Sequence, residues 1–369
     1  MIKIAEPYIT QDEVKAVTRV LKSHMLTQSK NVKMFEEKFS DYIGTKYAIA
    51  TSNGTTALHT ALLSLGIGKN AGGSEKDEVI TTPFSFIASS NCILMAGARP
   101  VFVDIDNRTF NIDPNKIEEK VTKNTKAILI VHIFGQPCDM DPIMKIVKKH
   151  HLYLIEDACQ AHGAEYKGKK VGSFGDVACF SFYATKNMTT GEGGMIVTNF
   201  SEIEKKARLI ISHGELTRYK SILLGYNYRM TEMQAAIGIQ QLKKLDRLNR
   251  KRIKNADFLN RHLKNINDLE IPYTIPNAKH VFHQYTIRIK KHRDKFKEYL
   301  FRKGIQTKIF YPIPIHQQPL YKKLNYKDKL ENVEKLCKEV ISLPVHPRLR
   351  AKQLNFICKQ VKKFFGCKI

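Results

Sequence analysis

Short apolar runs alternate with amphipathic stretches along the first 200 residues, and this alternation predicts the architecture. Short apolar runs bounded by polar or turn residues are typical of strands that are buried on both faces of a parallel sheet. The stretches between them repeat apolar residues at helical spacing, as Leu58, Ala61, Leu62 and Leu65 do. After helical segments over residues 1 to about 45, the predicted strands are 48–51, 78–81, 100–103, 127–131, 152–155, 178–182 and 195–197. We therefore expect an α/β fold in which helices wrap a mainly parallel, seven-stranded sheet.

The last third of the chain has a different pattern. Apolar residues recur at helical spacing from 231 to about 260, which predicts one long helix. A strand over 284–289 and a lysine-rich amphipathic helix follow. We predict a large domain over residues 1–240 and a smaller α+β domain over residues 241–369, which the long helix connects.

Lys186 follows a short aromatic-rich run and precedes a glycine cluster and a strand. A lysine at such a place can form a Schiff base with an aldehyde, and the glycines would let the backbone approach a bound ring closely. An exposed lysine before a glycine turn is the commoner reason for this pattern. The motif gains its meaning from the residues upstream.

Asp157 comes just after the predicted strand 152–155, at the edge of the sheet where open α/β proteins bind ligands. An ionised carboxylate there can keep the pyridine nitrogen of pyridoxal phosphate (PLP) protonated, which makes the ring an electron sink. The alternative is that Asp157 caps the short helical segment that follows it.

Two further segments could contact such a cofactor. Gly54, Thr55 and Thr56 begin a predicted helix, whose free N–H groups, hydroxyls and dipole suit a phosphate. A helix cap without a ligand is the alternative. Phe84 or Phe86, in the loop after strand 78–81, could stack on a ring, although either could equally belong to the core.

The order of these segments resembles that of fold-type I PLP enzymes, and the chain resembles the DegT/DnrJ/EryC1/StrS family of sugar-nucleotide aminotransferases. The matching segments run nearly from end to end. They are residues 7–9, 25–27, 53–55, 79–83, 97–106, 156–163, 181–194, 213–214, 225–231, 311–316 and 342–347.

The resemblance implies a reaction. Lys186 would carry PLP and move a proton during transfer of an amino group from glutamate to a nucleotide-linked ketosugar, while Asp157 would stabilise charge through the ring nitrogen. Family members that act as sugar dehydratases have histidine at the position of Lys186, so the lysine indicates an aminotransferase.

The resemblance also implies site residues. Phe86 would stack on the ring, with Phe84 as the alternative, and Gln160 would lie beside it. Ser181 and the helix start at Gly54, Thr55 and Thr56 would bind the phosphate. Asn227 would reach the phosphate of the other subunit, which implies a homodimer with shared active sites. Weaker matches near the sugar nucleotide are Leu26, Thr27, Tyr311 and His316.

Charge is distributed unevenly along the chain. The formal net charge is +26, and residues 241–369 hold 32 Lys and Arg against 10 Asp and Glu, a net +22. Such asymmetry can indicate a nucleic-acid or membrane-surface partner. However, the lysines lie on the outer faces of amphipathic helices, without the interleaved aromatic residues typical of single-strand binding. We therefore expect a solvated basic surface that attracts an anionic sugar nucleotide, and no nucleic-acid or membrane partner.

The cysteines and the N-terminus bear on location. Seven cysteines, an odd number without C-x-x-C spacing, favour a reducing compartment and give no indication of a metal site. We recognise no signal peptide and no long apolar span, so we expect a cytoplasmic protein.

Three functional interpretations follow. Residues 189–194 read Thr-Thr-Gly-Glu-Gly-Gly, which resembles enzymes that aminate C4 of a 4-keto-6-deoxysugar, and we favour this interpretation. Many enzymes that make 3-amino sugars have a Gly-Asp-Gly-Gly form, and a 3-keto substrate on the same scaffold is the first alternative. A basic nucleic-acid-binding or regulatory protein on a PLP fold is the second.

Overall fold

The computed structural model describes residues 1–367 of the 369-residue chain. That part of the chain forms twelve α-helices and fifteen strands. The helices are α1 Gln11–Ser23, α2 Lys30–Ile43, α3 Gly54–Ser64, α4 Ala88–Met95, α5 Met140–His150, α6 Ser201–Ile210, α7 Glu232–Leu242, α8 Leu245–Leu263, α9 Arg293–Arg302, α10 Pro319–Lys323, α11 Glu331–Glu339 and α12 Ala351–Phe364. The strands are β1 Tyr47–Thr51, β2 Glu78–Thr81, β3 Arg99–Phe102, β4 Thr125–Val131, β5 Tyr153–Asp157, β6 Glu165–Tyr166, β7 Lys169–Lys170, β8 Val177–Ser181, β9 Gly194–Thr198, β10 Glu215–Thr217, β11 Lys220–Ser221, β12 Leu269–Glu270, β13 Ala278–Lys279, β14 Tyr285–Ile289 and β15 Val340–Leu343.

All seven predicted strands of the first 200 residues lie in one sheet, in the order β1-β9-β8-β5-β4-β2-β3. The pairs β2–β3, β2–β4, β4–β5 and β5–β8 are parallel, whereas β9 is antiparallel to both β1 and β8. The prediction of a mainly parallel, seven-stranded sheet is therefore confirmed. Every strand of the sheet except β9 points the same way, so their carboxyl ends share one edge.

Helices cover both faces of this sheet, which explains why its strands are largely apolar. In β4, Ala127 and Leu129 pack into the cluster that includes α3, α4 and α6. Between them, Ile128 packs into the cluster on the opposite face, with α5. Side chains of a strand alternate between its two faces, so burial on both requires a continuous apolar run.

The prediction of one long helix from 231 to about 260 is wrong in its continuity. The structure has two helices there, α7 and α8. The break lies at Lys243 and Lys244. α7 packs against α1 and α2, whereas α8 packs against α12. The side chain of Lys244 turns back to α1 and lies 2.9 Å from Asp12 and 2.8 Å from Glu13. The two helices are separate because they pack against different partners. The spacing of apolar residues in the sequence does not show this difference.

The C-terminal part contains a second core around the three-stranded sheet β12-β14-β15. Helices α8, α9 and α12 contribute to this core. Two segments pack across the predicted boundary at residue 240. Ile2 lies in the C-terminal core, and its N–H donates to the carbonyl of Gly304 at 2.7 Å. In the other direction, Tyr321 and Val333 pack into the core of the large sheet.

No helix within residues 1–367 combines the length and the apolar character that crossing a membrane requires.

Candidate active site

A cavity of about 650 Å³ lies at the edge of the large sheet where the parallel strands end. Segments that follow β1, β2, β4, β5 and β8 form its walls, together with residues of the C-terminal part. The predicted site residues that line it are Gly54, Thr55, Thr56, Phe86, Asp157, Gln160, Ser181, Lys186 and Tyr311. Residues up to 257 positions apart in the sequence thus meet at one place.

Asp157 is the last residue of β5 and is buried. Its Oδ2 accepts a hydrogen bond of 2.7 Å from the Ser89 hydroxyl, and its Oδ1 accepts one of 3.1 Å from the N–H of Cys159. The Ser85 hydroxyl lies 2.8 Å from that of Ser89. Since the Ser89 proton points to the carboxylate, the Ser85 hydroxyl donates to Ser89. Both oxygens of Asp157 are therefore held in one orientation, with lone pairs left for a ligand.

Lys186 lies in the loop that follows β8, and its backbone N–H donates to the carbonyl of Tyr183 at 2.9 Å. Burial lowers the pKa of the Lys186 amine from its ordinary value. Cys159 and Asp157 act in the opposite direction and offset part of this shift. Of the described residues that line the cavity, Lys186 alone carries an amino group.

The start of α3 forms another wall of the cavity. The Asn53 side chain accepts from the N–H of Thr56 at 3.0 Å, and the Thr56 hydroxyl donates to the carbonyl of Asn53 at 2.8 Å. The Thr56 hydroxyl therefore serves the helix cap. Gly54 and Thr55 lie in the first turn of the helix, where no preceding turn supplies a carbonyl to accept their N–H groups. These N–H groups can therefore bind an anion. The Ser181 hydroxyl accepts from the N–H of Tyr183 at 3.3 Å, and its own proton can be donated to a ligand.

The two candidate phenylalanines differ in position. Phe86 lines the cavity with 59% of its side chain exposed, whereas Phe84 is fully buried. Phe84 packs edge-on against Phe110, Phe134 and Tyr311 and so belongs to the core. Phe86 is thus the one whose ring a bound molecule could contact.

Gln160 and Tyr311 form a hydrogen-bonded pair in the cavity wall. The Gln160 Oε1 accepts from the N–H of Phe134 at 2.9 Å, and its Nε2 donates to the Tyr311 hydroxyl at 3.1 Å. Burial raises the pKa of Tyr311, which keeps the phenol protonated. The Tyr311 proton is therefore available to a ligand.

Four predicted residues do not line this cavity within one chain, namely Leu26, Thr27, Asn227 and His316. His316 is buried instead, with its ring against Phe102 and its Nε2 3.1 Å from Glu334. Within the chain His316 therefore does not line the cavity, because its segment turns it into the core, and its place near the sugar nucleotide stays a prediction. Leu26 is exposed, and the backbone of Asn227 pairs with Ser212.

Sequence reasoning missed several residues that the structure brings into the cavity. They are Ser85, Ser89, Cys159, Glu192, His283, Gln284 and Phe310, among others. Ser85 lies between Phe84 and Phe86 in the loop before α4, and Ser89 lies in the first turn of that helix, so the loop with the candidate phenylalanines was the signal that could have found them. His283 and Gln284 come from the far part of the chain, and nothing local marks them.

The chemistry of this cavity fits PLP. It offers an amine for the aldehyde carbon, an oriented carboxylate for the ring nitrogen, an aromatic face, and a helix start with a serine hydroxyl for the phosphate. Within residues 1–367, no group of three or more His, Cys, Asp or Glu side chains is arranged to hold a metal ion.

Comparison with known proteins gives concordant results. A model of the DegT/DnrJ/EryC1/StrS aminotransferase family matches residues 7–362. The chain is 42% identical to the "Pleiotropic regulatory protein" of Geobacillus stearothermophilus, over 99% of the chain and 98% of the relative. It is 39% identical to the GDP-perosamine synthase of Escherichia coli O157:H7, over 100% and 99%. The structure of Helicobacter pylori PseC, described as an aminotransferase involved in the biosynthesis of pseudoaminic acid, superposes with a TM-score of 0.92 at 34% identity, covering 99% of each chain.

Proposed function

This chain belongs to the DegT/DnrJ/EryC1/StrS aminotransferase family, and we propose that it transfers the amino group of glutamate to C4 of a nucleotide-linked 4-keto-6-deoxysugar. It is a PLP-dependent enzyme with the fold of type I aminotransferases. One observation carries the proposal: Lys186 and the doubly hydrogen-bonded Asp157 line the same cavity as the start of α3.

Each group in the cavity has a role in holding the cofactor. Lys186 would attach it covalently, and Asp157 would hold a proton on its ring nitrogen. Gly54, Thr55 and Ser181 would donate hydrogen bonds to its phosphate. Phe86 would cover one face of the ring, and Gln160 would lie at its edge. When bound, PLP supplies an electron-accepting ring and carries the amino group between donor and acceptor.

Lys186 also moves the proton that amino transfer requires. Its lowered pKa makes the neutral amine available at lower pH than for an exposed lysine, and only the neutral amine can accept a proton. The amine would take a proton from the α-carbon of glutamate in one half-reaction and deliver one to the sugar carbon in the other.

The choice of C4 rests on the Gly-Glu-Gly-Gly form of residues 191–194. To test it, purified enzyme is incubated with glutamate and a panel of UDP-, dTDP- and GDP-linked ketosugars, in matched 4-keto and 3-keto forms. Mass spectrometry and NMR of the products then locate the new amino group. We expect amination of 4-keto-6-deoxyhexoses. Amination of the 3-keto forms alone would replace this assignment with a 3-amino-sugar activity.

We further infer that two copies share their active sites. An apolar groove of about 520 Å³ lies next to the loop that carries Lys186. Its lining residues are Pro7, Ile9, Glu13, Val14, Val17, Thr18, Ala184, Thr189, Gly191 and Ile237. A second copy seated there would bury apolar surface and approach the cavity from the other side of the loop. The position of Asn227 outside the cavity of its own chain supports a role in that of a partner.

A further inference from the structure

A chain of buried hydrogen bonds runs from Asn187, the residue after Lys186, to the wall of the cavity. The Asn187 Nδ2 donates to the carbonyl of Val281 at 3.1 Å and to Asn249 Oδ1 at 2.9 Å. A backbone carbonyl can only accept, so the nitrogen of the Asn187 amide must point to Val281. The Asn249 amide is oriented in the same way, since its Nδ2 donates to the carbonyl of His162 at 2.7 Å.

This orientation determines the tautomer of His283. The Asn187 Oδ1 faces the His283 Nδ1 at 3.3 Å, and an amide oxygen can only accept. Nδ1 therefore carries the proton, and Nε2 of the neutral ring carries a lone pair. The Gln284 Nε2 lies 3.4 Å from this atom, a distance at which it donates only weakly.

The imidazole of His283 stays neutral. Burial lowers its pKa well below the ordinary value, and Lys186 and Arg252 lower it further because both are cations. Arg252 lies close enough for its guanidinium to donate to the carbonyl of His283 at 3.3 Å. A neutral ring whose Nδ1 proton is engaged can act at Nε2 only as a hydrogen-bond acceptor.

The surroundings of the ring indicate which of its edges is directed to the cavity. His283 and Gln284 both line it, whereas Asn187, on the Nδ1 side, does not. The segment is held in place by the loop after β4, because Gln284 N–H donates to the carbonyl of Phe134 at 3.3 Å and Val281 N–H to that of Gly135 at 3.0 Å. We infer that the lone pair of Nε2 points into the cavity that Lys186 also lines, and that these backbone hydrogen bonds hold the segment in position.

We propose that His283 Nε2 accepts a hydrogen bond from a hydroxyl of the ketosugar, on the carbon beside the one that is aminated, and so helps select the sugar. The inference rests on the proposed function. Of the two substrates, only the sugar has a proton donor beside its reacting carbon. Beside its α-carbon, glutamate carries an ionised carboxylate, which offers a lone pair and no proton.

Two substitutions separate this role from a merely structural one. His283→Asn places an amide near the position of Nδ1, which can keep the hydrogen bond to Asn187 but removes the acceptor at Nε2. His283→Gln places an amide oxygen near the position of Nε2, which keeps an acceptor in the cavity but loses the bond to Asn187. If His283 contacts the substrate, His283→Gln should react with the ketosugar faster than His283→Asn. If His283 instead anchors the Lys186 loop, the order should be reversed.

The two half-reactions are measured separately, in single turnovers followed by the absorbance of the cofactor. The probes are glutamate and the 4-keto-6-deoxyhexose nucleotide of the panel that wild type aminates fastest. We expect His283→Asn to lower kcat/KM for the ketosugar about tenfold or more, and His283→Gln to stay within about threefold of wild type. Both variants should keep kcat/KM for glutamate within about threefold, which also shows that they fold.

His280→Asn is the matched control. His280 is another buried histidine, stacked on Phe282, and it lies outside the cavity that contains Lys186. This variant should leave both half-reactions within about twofold of wild type. Equal losses in the two half-reactions, or a larger loss in His283→Gln than in His283→Asn, would make His283 an anchor for the Lys186 loop and overturn the proposal. So would a ketosugar half-reaction that His283→Asn leaves unchanged.

Failure of the proposed function has a different signature. In that case wild type itself would convert glutamate but react with no nucleotide-linked ketosugar of the panel. The ketosugar could then no longer be the hydrogen-bond partner of His283. When wild type aminates the ketosugar, the order of activity of the two His283 variants decides whether His283 contacts the sugar or anchors the Lys186 loop.

Discussion

Asp157 and Ser89 are 68 positions apart, yet their hydrogen bond of 2.7 Å is among the shortest in the cavity. A carboxylate that must balance a protonated ring nitrogen works best when it cannot rotate. The Ser89 hydroxyl and the N–H of Cys159 hold its two oxygens, so the Asp157 carboxylate is already oriented when a ligand binds.

Asp157→Asn should keep the fold and lose most activity. An amide has no charge to balance a protonated pyridine nitrogen, and we expect kcat to fall about a thousandfold or more. The comparison is made at matched cofactor content, measured by absorbance. Asp176→Asn is the control, because Asp176 precedes β8 at the opposite edge of the sheet and bonds to the N–H of Leu154. Near-normal turnover in Asp157→Asn would exclude the assigned role.

The amine of Lys186 should react at unusually low pH. Burial lowers its pKa from the ordinary 10.5, so the rate at which cofactor-free protein captures PLP should rise with pH to a midpoint below 10.5. The negative charge of Asp157 raises this pKa, so Asp157→Asn should move the midpoint to still lower pH. Stopped-flow absorbance across a pH series gives both midpoints. A midpoint at or above 10.5 would contradict the prediction.

Borohydride reduction followed by peptide mapping identifies the lysine. The reduced adduct should lie on Lys186, and Lys186→Ala should abolish turnover while the remaining contacts still bind the cofactor. An adduct on another lysine would contradict the site assignment.

At the scale of elements, the start of α2 depends on a residue from α7. Ser29, which precedes the helix, makes no capping bond with its own side chain. Instead, the buried Glu232 accepts hydrogen bonds of 2.8, 2.9 and 2.9 Å from the N–H groups of Ser29, Asn31 and Val32. A carboxylate at a helix start also interacts favourably with the helix dipole. This long-range cap joins the first part of the chain to the region before α8.

Glu232→Ala should destabilise the protein by about 2–4 kcal/mol, because it leaves the N–H groups of Ser29, Asn31 and Val32 without their acceptor. The free energy of unfolding is measured by chemical denaturation. Glu37→Ala, which removes an exposed glutamate of α2 itself, is the matched control and should change stability by less than about 0.5 kcal/mol. Equal effects of the two substitutions would show that the cap contributes nothing.

At the scale of the whole molecule, the basic C-terminal part should act on substrate encounter. Residues 241–369 carry a net +22, and a nucleotide sugar is an anion. Added salt screens attraction between separated charges, so it should lower kcat/KM for the sugar nucleotide more than kcat. The readout is steady-state kinetics from low to high ionic strength. Tight, sequence-independent DNA binding at physiological salt would instead favour a nucleic-acid-binding role.

Shared active sites are tested by complementation. Lys186→Ala and Asn227→Ala should each be impaired alone. A mixed dimer would contain one site with both substitutions and one intact site, so activity should recover toward about half per heterodimer. The dimers are formed by dissociation and exchange, and exchange is verified by mass spectrometry. No recovery after verified exchange would place Asn227 in the site of its own chain.

The sequence alone determined the features that depend on neighbouring residues. All seven strands of the large sheet, its mainly parallel direction and the place of Asp157 at a strand end follow from apolar runs, because burial on both faces of a sheet leaves a local signature. Nine of the 22 residues that line the cavity were also predicted from the sequence, partly because loops after parallel strands meet at one edge and partly from the resemblance to the family.

Only the tertiary structure decided which buried polar groups meet. Glu232 reaches Ser29 across 203 positions, and His283 reaches Asn187 across 96. The division between α7 and α8, and the turning of His316 into the core, likewise depend on distant partners. The physical reason is that a buried polar group must find a hydrogen-bond partner wherever packing places one, and that partner leaves no periodic trace in the sequence.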